Sequence, residues 1–539
     1  MPDVMKRTPA SVIRWLFSSE DGASDRLLPR WFFLRGLGLI YFSAFYSLVF
    51  QIKGLIGPNG ILPADEYLRE LTKLGVVRFW YAPTLLWFSS SSHMLNAICY
   101  VGLIAAVLLV LNVWPRAMLA LCFACFLSFV SAAQDFSGYQ SDGMLLEAGF
   151  ISLFFAPPGV RPGLGGDDPP SRASLFLLQW EWFRIYFESG MVKLASGDPQ
   201  WRDFTAMEEY YQNGPLPTWI GWYVQHLPHK LHTFATGATL VLELVLVWML
   251  FLPRRWRIAC FFIVTLWQVP VILTANYTFL NYLVLLLGVL LLDDRFLQRW
   301  LPQPLLTRID DRTQAAAPDR TAPEEDHAVR AFSHINALKL AFTSVMLSWI
   351  FYSTLVQMLW IPFGRLPLPT SPVIALEPFR IANRYGLFAV MTRGRYEIEF
   401  QGSNDGETWM AYPFRHKPQD PTKAPGIYAP YQPRLDWNLW FASLGAWRDN
   451  MFVVSAEERL LANDSDVLSL FASNPFGKNA PKLVRAVIWR YWFTSLAERH
   501  ATGMWWRRES LGLYAPTLTH MPDGKLGVVE WPPPAMPRP

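Results

Sequence analysis

The chain has 539 residues, of which 52% are hydrophobic, 15% aromatic and only 17% charged. So little charge cannot cover the surface of a soluble protein of this size, which excludes an ordinary cytosolic enzyme. The 47 basic residues nearly balance the 43 acidic ones, and the resulting +4 is too weak a field for a nucleic-acid partner. Four cysteines are too few for a disulfide-built secreted scaffold.

A helix needs roughly 20 mostly apolar residues to cross the hydrocarbon core, and about nine runs approach that length. They lie near residues 31–50, 95–113, 117–134, 144–157, 175–193, 235–252, 258–273, 278–292 and 333–357. The fourth is short and the seventh and eighth nearly merge, so two of the nine read as re-entrant or tilted. Basic residues cluster in the N-terminal segment (Lys6, Arg7, Arg14, Arg26, Arg30), after the sixth run (Arg254, Arg255, Arg257) and after the eighth (Arg295, Arg299, Arg308). Nine crossings place these on one side, so the expected arrangement has a cytoplasmic N-terminus and an extracytoplasmic C-terminus.

The expected organisation is therefore a cytoplasmic segment 1–30, a helical membrane core 31–293, a flexible cytoplasmic linker 294–332, a last membrane helix 333–360 and a β-rich extracytoplasmic domain 361–539. In that last part, Arg395 to Phe400 and Val487 to Phe493 alternate with the period of two of a strand, and Gly402 to Gly406 reads as a turn. Ala456 to Ala472 reads as a helix beside the sheet.

Ionisable residues inside the apolar runs are costly unless paired, so each needs a reason. Glu181, Arg184 and Glu188 share one helical face, and Lys193 follows the helix-bending Gly190. Together with Arg35, Asp142, Glu147 and Glu243 they form an expected intramembrane polar network, with Arg35 or Arg184 as partner of Glu147. Lys193 is the candidate for chemistry, because a desolvated amine suits a general base. Trp201, Tyr210 and Tyr211 lie in a turn-rich, aromatic loop suited to a membrane surface or a client. Cys122 and Cys125 have the C-x-x-C spacing but sit in an apolar helix and read as packing residues. His226, His229 and His232 read as a solvated face with no metal. No nucleotide, hydrolase or metalloprotease motif occurs, and no cofactor is expected.

Several stretches resemble the lipase maturation factor family. They are Trp31 to Tyr41, Ile56 to Pro63, Asp142 to Phe150 and Asp198 to Thr205, followed by Asn383 to Phe388, Lys417 to Pro421, Pro430 to Phe441, Arg499 to Ala501 and Trp505-Trp506. The resemblance implies a multi-pass membrane protein, in the endoplasmic reticulum of animals, that acts as a chaperone in the folding and assembly of secreted lipases. In a bacterium the membrane would be the cytoplasmic one. Exported clients and membrane lipid are then the expected partners, with Trp437, Trp440, Phe441, Trp505 and Trp506 joining Trp201, Tyr210 and Tyr211 as client contacts. Tyr186 to Leu194 is also distantly similar to the membrane core of vitamin K-dependent carboxylases, in which Lys193 falls at the catalytic base. That likeness implies an integral membrane enzyme as the alternative to a maturation factor without catalysis.

Overall fold

The computed structural model describes residues 8–301 and 334–534. All nine apolar runs are helical: α1 (Leu27–Val49), α2 (Ser92–Val110), α3 (Pro115–Val130), α4 (Gln140–Phe155), α5 (Arg172–Ala195), α6 (His229–Leu244), α7 (Arg254–Ile263), α8 (Leu280–Gly288) and α9 (His334–Phe363). Among the described residues five helices are long and apolar enough to cross a membrane: Ser24–Val49, Ser92–Val110, His229–Phe251, Arg254–Thr274 and Asn336–Phe363. The shorter α3 and α8 are apolar as well. This makes the chain an integral membrane protein.

α5 is the axis of the bundle. It packs against α4, α6, α8 and α9, while α1, α2 and α3 stack in turn on the far side of α4. Encircled in this way, α5 turns its ionisable residues toward protein and not toward lipid, which is why a helix with Glu181, Arg184, Glu188 and Lys193 can lie among apolar neighbours.

Side-chain hydrogen bonds define two ends of the bundle. At one end the Asp294 carboxylate accepts from the N–H groups of Leu27 and Leu28 at 3.1 and 2.8 Å, and Arg254 donates to Asp293 at 2.8 Å. Arg30 donates to the carbonyls of Leu164, Gly165 and Asp168 at the same end. Residues 294–300, assigned to the linker from sequence, thus belong to short helical turns that cap α1. Residues 302–332 of the expected linker lie outside the described residues.

The opposite end carries the C-terminal region. Its sheet has strands β1 (Arg395–Ser403), β2 (Met410–Ala411), β3 (Leu483–Phe493), β4 (Trp506–Leu513), β5 (Thr517–His520) and β6 (Leu526–Glu530). Every pairing is antiparallel, in the order β2-β1-β3-β5-β6, with β4 also on β3. Two helices cover it, α10 (Arg434–Ser443) and α11 (Phe452–Leu461); the second begins before the Ala456 start read from sequence and stops well short of Ala472.

The alternation in β1 suggests one wet face, yet all nine of its residues are buried. The polar face is covered because its side chains satisfy one another. Arg395 and Lys417 both pair with Glu397, the latter at 2.9 Å, and Glu399 accepts from Gln401 at 2.7 Å and Gln419 at 3.0 Å.

Candidate functional site where the helices meet the sheet region

A strap, residues 380–393, follows two short helical turns after α9 (Ser371–Leu376 and Glu377–Phe379) and crosses the end of the bundle before entering β1. It is held by carboxylates. Glu147 of α4 accepts from the Asn383 backbone N–H at 2.9 Å and the Tyr385 hydroxyl at 3.0 Å, and Glu188 of α5 accepts from the Tyr385 N–H at 2.6 Å. Arg184 lies between them, donating to Glu147 and, at 2.7 Å, to the Asn383 carbonyl. Glu181 approaches the Tyr385 hydroxyl at 3.4 Å. Gly143 makes room: a Cβ there would stand 2.9 Å from Asn383 Oδ1. Asp198 fixes the far end of the strap, accepting from the Met391 N–H at 2.6 Å and from Arg393 at 2.5 Å. Burial opposes ionisation of Asp198, but these donors and the Gln200 N–H outweigh it and hold the carboxyl below its usual range.

The expected single network is thus three separate clusters and one outlier. Glu147, Glu181, Arg184 and Glu188 form the first, around Tyr385. Asp142 forms the second with Arg434 of α10, through hydrogen bonds of 2.8 and 2.9 Å. Lys193 and Glu243 form the third: the amine lies 2.7 Å from both carboxylate oxygens and 5.0 Å above the Trp201 ring. Arg35 stands apart, stacked 4.7 Å over Trp31, and Arg184 is the partner of Glu147. A lysine amine held by both oxygens of one carboxylate is fixed in place and already engaged, so the geometry lends the general-base reading no support.

The aromatic candidates do not form an exposed client face. Trp201, Tyr210, Trp437, Trp440 and Trp506 are all buried, Tyr211 and Trp505 are half-buried, and Phe441 alone is exposed. Two of the indoles are used inside the protein: Trp201 donates to the Phe388 carbonyl at 2.9 Å and Trp440 to the Asn213 carbonyl at 3.1 Å. Trp506 packs on Phe493 and Tyr491, and Trp505 on Trp222. These bonds need geometry that sequence spacing does not reveal.

Four of these side chains nevertheless converge. Tyr210, Trp437, Trp440 and Phe441 join Tyr277 and Phe388 around a cavity of about 380 Å³ between the strap, α10 and the bundle end. That volume falls in the range of about 300–1,000 Å³ typical of small-molecule sites. Sequence reasoning missed Tyr277, Asn383, Tyr385, Phe388 and Arg434 as site residues, although 383–388 and 430–441 were among the stretches carrying the family resemblance. The three histidines also separate: His229 meets Glu208, His226 bonds the carbonyls of Trp222 and Thr494, and His232 is buried, so they are not one solvated face. Cys122 and Cys125 are buried, with burial the main feature of their surroundings.

Fold and site together define an integral membrane protein whose helical core is locked to a β-rich C-terminal domain. Residues 28–299 match the lipase maturation factor transmembrane domain and residues 381–516 the lipase maturation factor C-terminal domain. The chain is 33% identical to lipase maturation factor 1 of Bos taurus over 509 residues, covering 91% of this chain and 89% of that protein. It is 31% identical to lipase maturation factor 2 of Homo sapiens over 590 residues, covering 91% and 83%. No solved structure matches. The chain belongs to the lipase maturation factor family.

Proposed function

We infer that the protein is a membrane-anchored maturation factor for exported proteins, with secreted lipases as its clients. The observation that carries this reading is that both family domains are present in order and cover most of the chain. Nine crossings are consistent with the two ends of the bundle, because successive helices run from one end to the other. The Arg-rich end, with Arg26, Arg30, Arg116, Arg254 and Arg257, then faces the cytoplasm, and the sheet region lies outside it. The compartment beyond follows the organism: a periplasm for a bacterial source, the reticulum lumen for an animal one.

The rigid junction suits a platform that acts on a client by contact and not by catalysis. The Arg434–Asp142 pair joins α10 to the bundle, and the Arg393–Asp198 pair with the backbone hydrogen bonds to Glu147 and Glu188 joins the strap to it, so the sheet domain is held at one position over the membrane. The exposed aromatic and aliphatic residues of the 72–91 segment, among them Val76, Phe79, Trp80 and Phe88, present apolar surface near that end and supply a holding face for incompletely folded client. Co-purification tests the reading. A lipase exported by the same organism should be recovered with the full-length protein while newly made and be released once active; a lipase that never associates contradicts it.

A further inference from the structure

We propose that the cavity at the junction is a lipid site, which takes one acyl chain of an anionic phospholipid from the adjoining bilayer leaflet. Five observations converge on this ligand. None of the residues lining the cavity is charged, and its walls are aromatic, so its occupant is neutral and apolar over the buried part. Its floor is the end of the membrane bundle: Leu280 is the first residue of α8, Tyr277 lies just before it, and Gln140 and Ser141 begin α4. Its mouth is mostly apolar, since Val390, Phe441 and Leu444 are 65%, 46% and 42% exposed, with Gln140 the polar exposed side chain beside them. An opening with such a rim at the level where helices leave the membrane admits a chain from lipid more readily than from water.

The remaining two features match the polar part of the ligand. Trp437 lines the cavity, and its indole N–H is buried without a hydrogen-bond partner, a donor that the ester carbonyl at the head of an acyl chain would satisfy. Arg380 and Arg384 stand exposed on the same strap, shortly before Gly386 enters the cavity wall, and their charge complements a phosphate.

The test uses the full-length protein in vesicles containing phosphatidylglycerol with a diazirine in one acyl chain, irradiated and then digested. Label is expected on 386–392 and 434–444 as well as on lipid-facing Ser92–Val110. Ala389→Trp, which fills the cavity, should lower the junction label about tenfold and leave that on Ser92–Val110 unchanged, the latter reporting an inserted, folded protein. Leu444→Arg at the exposed mouth should act in the same direction and is the check if the first variant folds poorly. Arg380→Ala with Arg384→Ala should weaken labelling by phosphatidylglycerol and not by a phosphatidylcholine probe. Label confined to outward-facing helices, or junction label unaffected by both cavity variants, overturns the proposal. So does a photoreactive residue at position 444 that captures a protein segment in place of lipid.

Discussion

Arg434 and Asp142, 292 positions apart in the chain, face each other through two parallel hydrogen bonds of 2.8 and 2.9 Å. Arg434 also donates to the Phe136 carbonyl and lies 4.6 Å over the Phe129 ring, so one guanidinium joins α10 to the ends of α3 and α4. Planar, bidentate recognition of this kind requires arginine.

Removing one member leaves the other charged and buried. Arg434→Met or Asp142→Leu alone should destabilise the protein by about 3–5 kcal/mol, and the double replacement by less than the sum of the two. Thermal unfolding in detergent, followed by the sheet's circular dichroism, measures the cycle. Strict additivity would show that the pair does not couple the two parts.

Tyr385 anchors the strap through a hydroxyl 3.0 Å from Glu147. Tyr385→Phe removes that one donor while keeping the ring beneath Arg184, at 5.2 Å. A loss of about 1.5–3 kcal/mol is expected, the value of a hydrogen bond to a charged group. Proteolysis should then cut within 380–393 before any cut appears in α5.

Lys193 and Glu243 distinguish a structural ion pair from a catalytic base. Lys193→Met strands Glu243 and should lower the folded yield sharply, whereas Lys193→Met with Glu243→Met should restore most of it. If the double variant also restores lipase maturation, the amine serves structure. A well-folded double variant without maturation activity would return Lys193 to chemistry.

Glu457, in α11 and outside the membrane, is fully buried, and burial pushes its carboxyl well above the usual range against the opposing Ala486 backbone N–H. The folded state therefore holds a proton that the unfolded chain releases above about pH 4.3. More protons in the folded state mean that stability falls as pH rises from there until the folded group itself ionises. Glu457→Gln should remove this slope and raise the melting temperature at pH 8 more than at pH 5. Equal shifts at both values would contradict the account.

The helices were legible because long apolar runs mark them, and each of the nine runs is helical here, although only five of these helices are long and apolar enough to cross a membrane. The strands around Arg395 and Val487 were legible from period two. What period could not show is that the polar face of β1 is covered, since that depends on Lys417 and Gln419 folding back over Glu397 and Glu399. The intramembrane charges announced themselves individually, as costly groups in apolar runs. Their partners Arg434, Asn383 and Tyr385 did not, because a polar residue in a polar stretch carries no signal of burial. The aromatics misled for the same reason: composition marks Trp437 and Trp440 as contact residues, but only geometry turns them inward.

The most direct measurement is the specific activity, per molecule, of a lipase exported by the same organism, in cells lacking this protein and in cells restored with it. The account predicts that lipase from deficient cells is made in normal amount but is aggregated and poorly active, and that the wild-type chain restores it. Restoration should fail with Arg434→Met, which uncouples the sheet domain from the bundle. Lipase of undiminished specific activity in the deficient cells would contradict the maturation role.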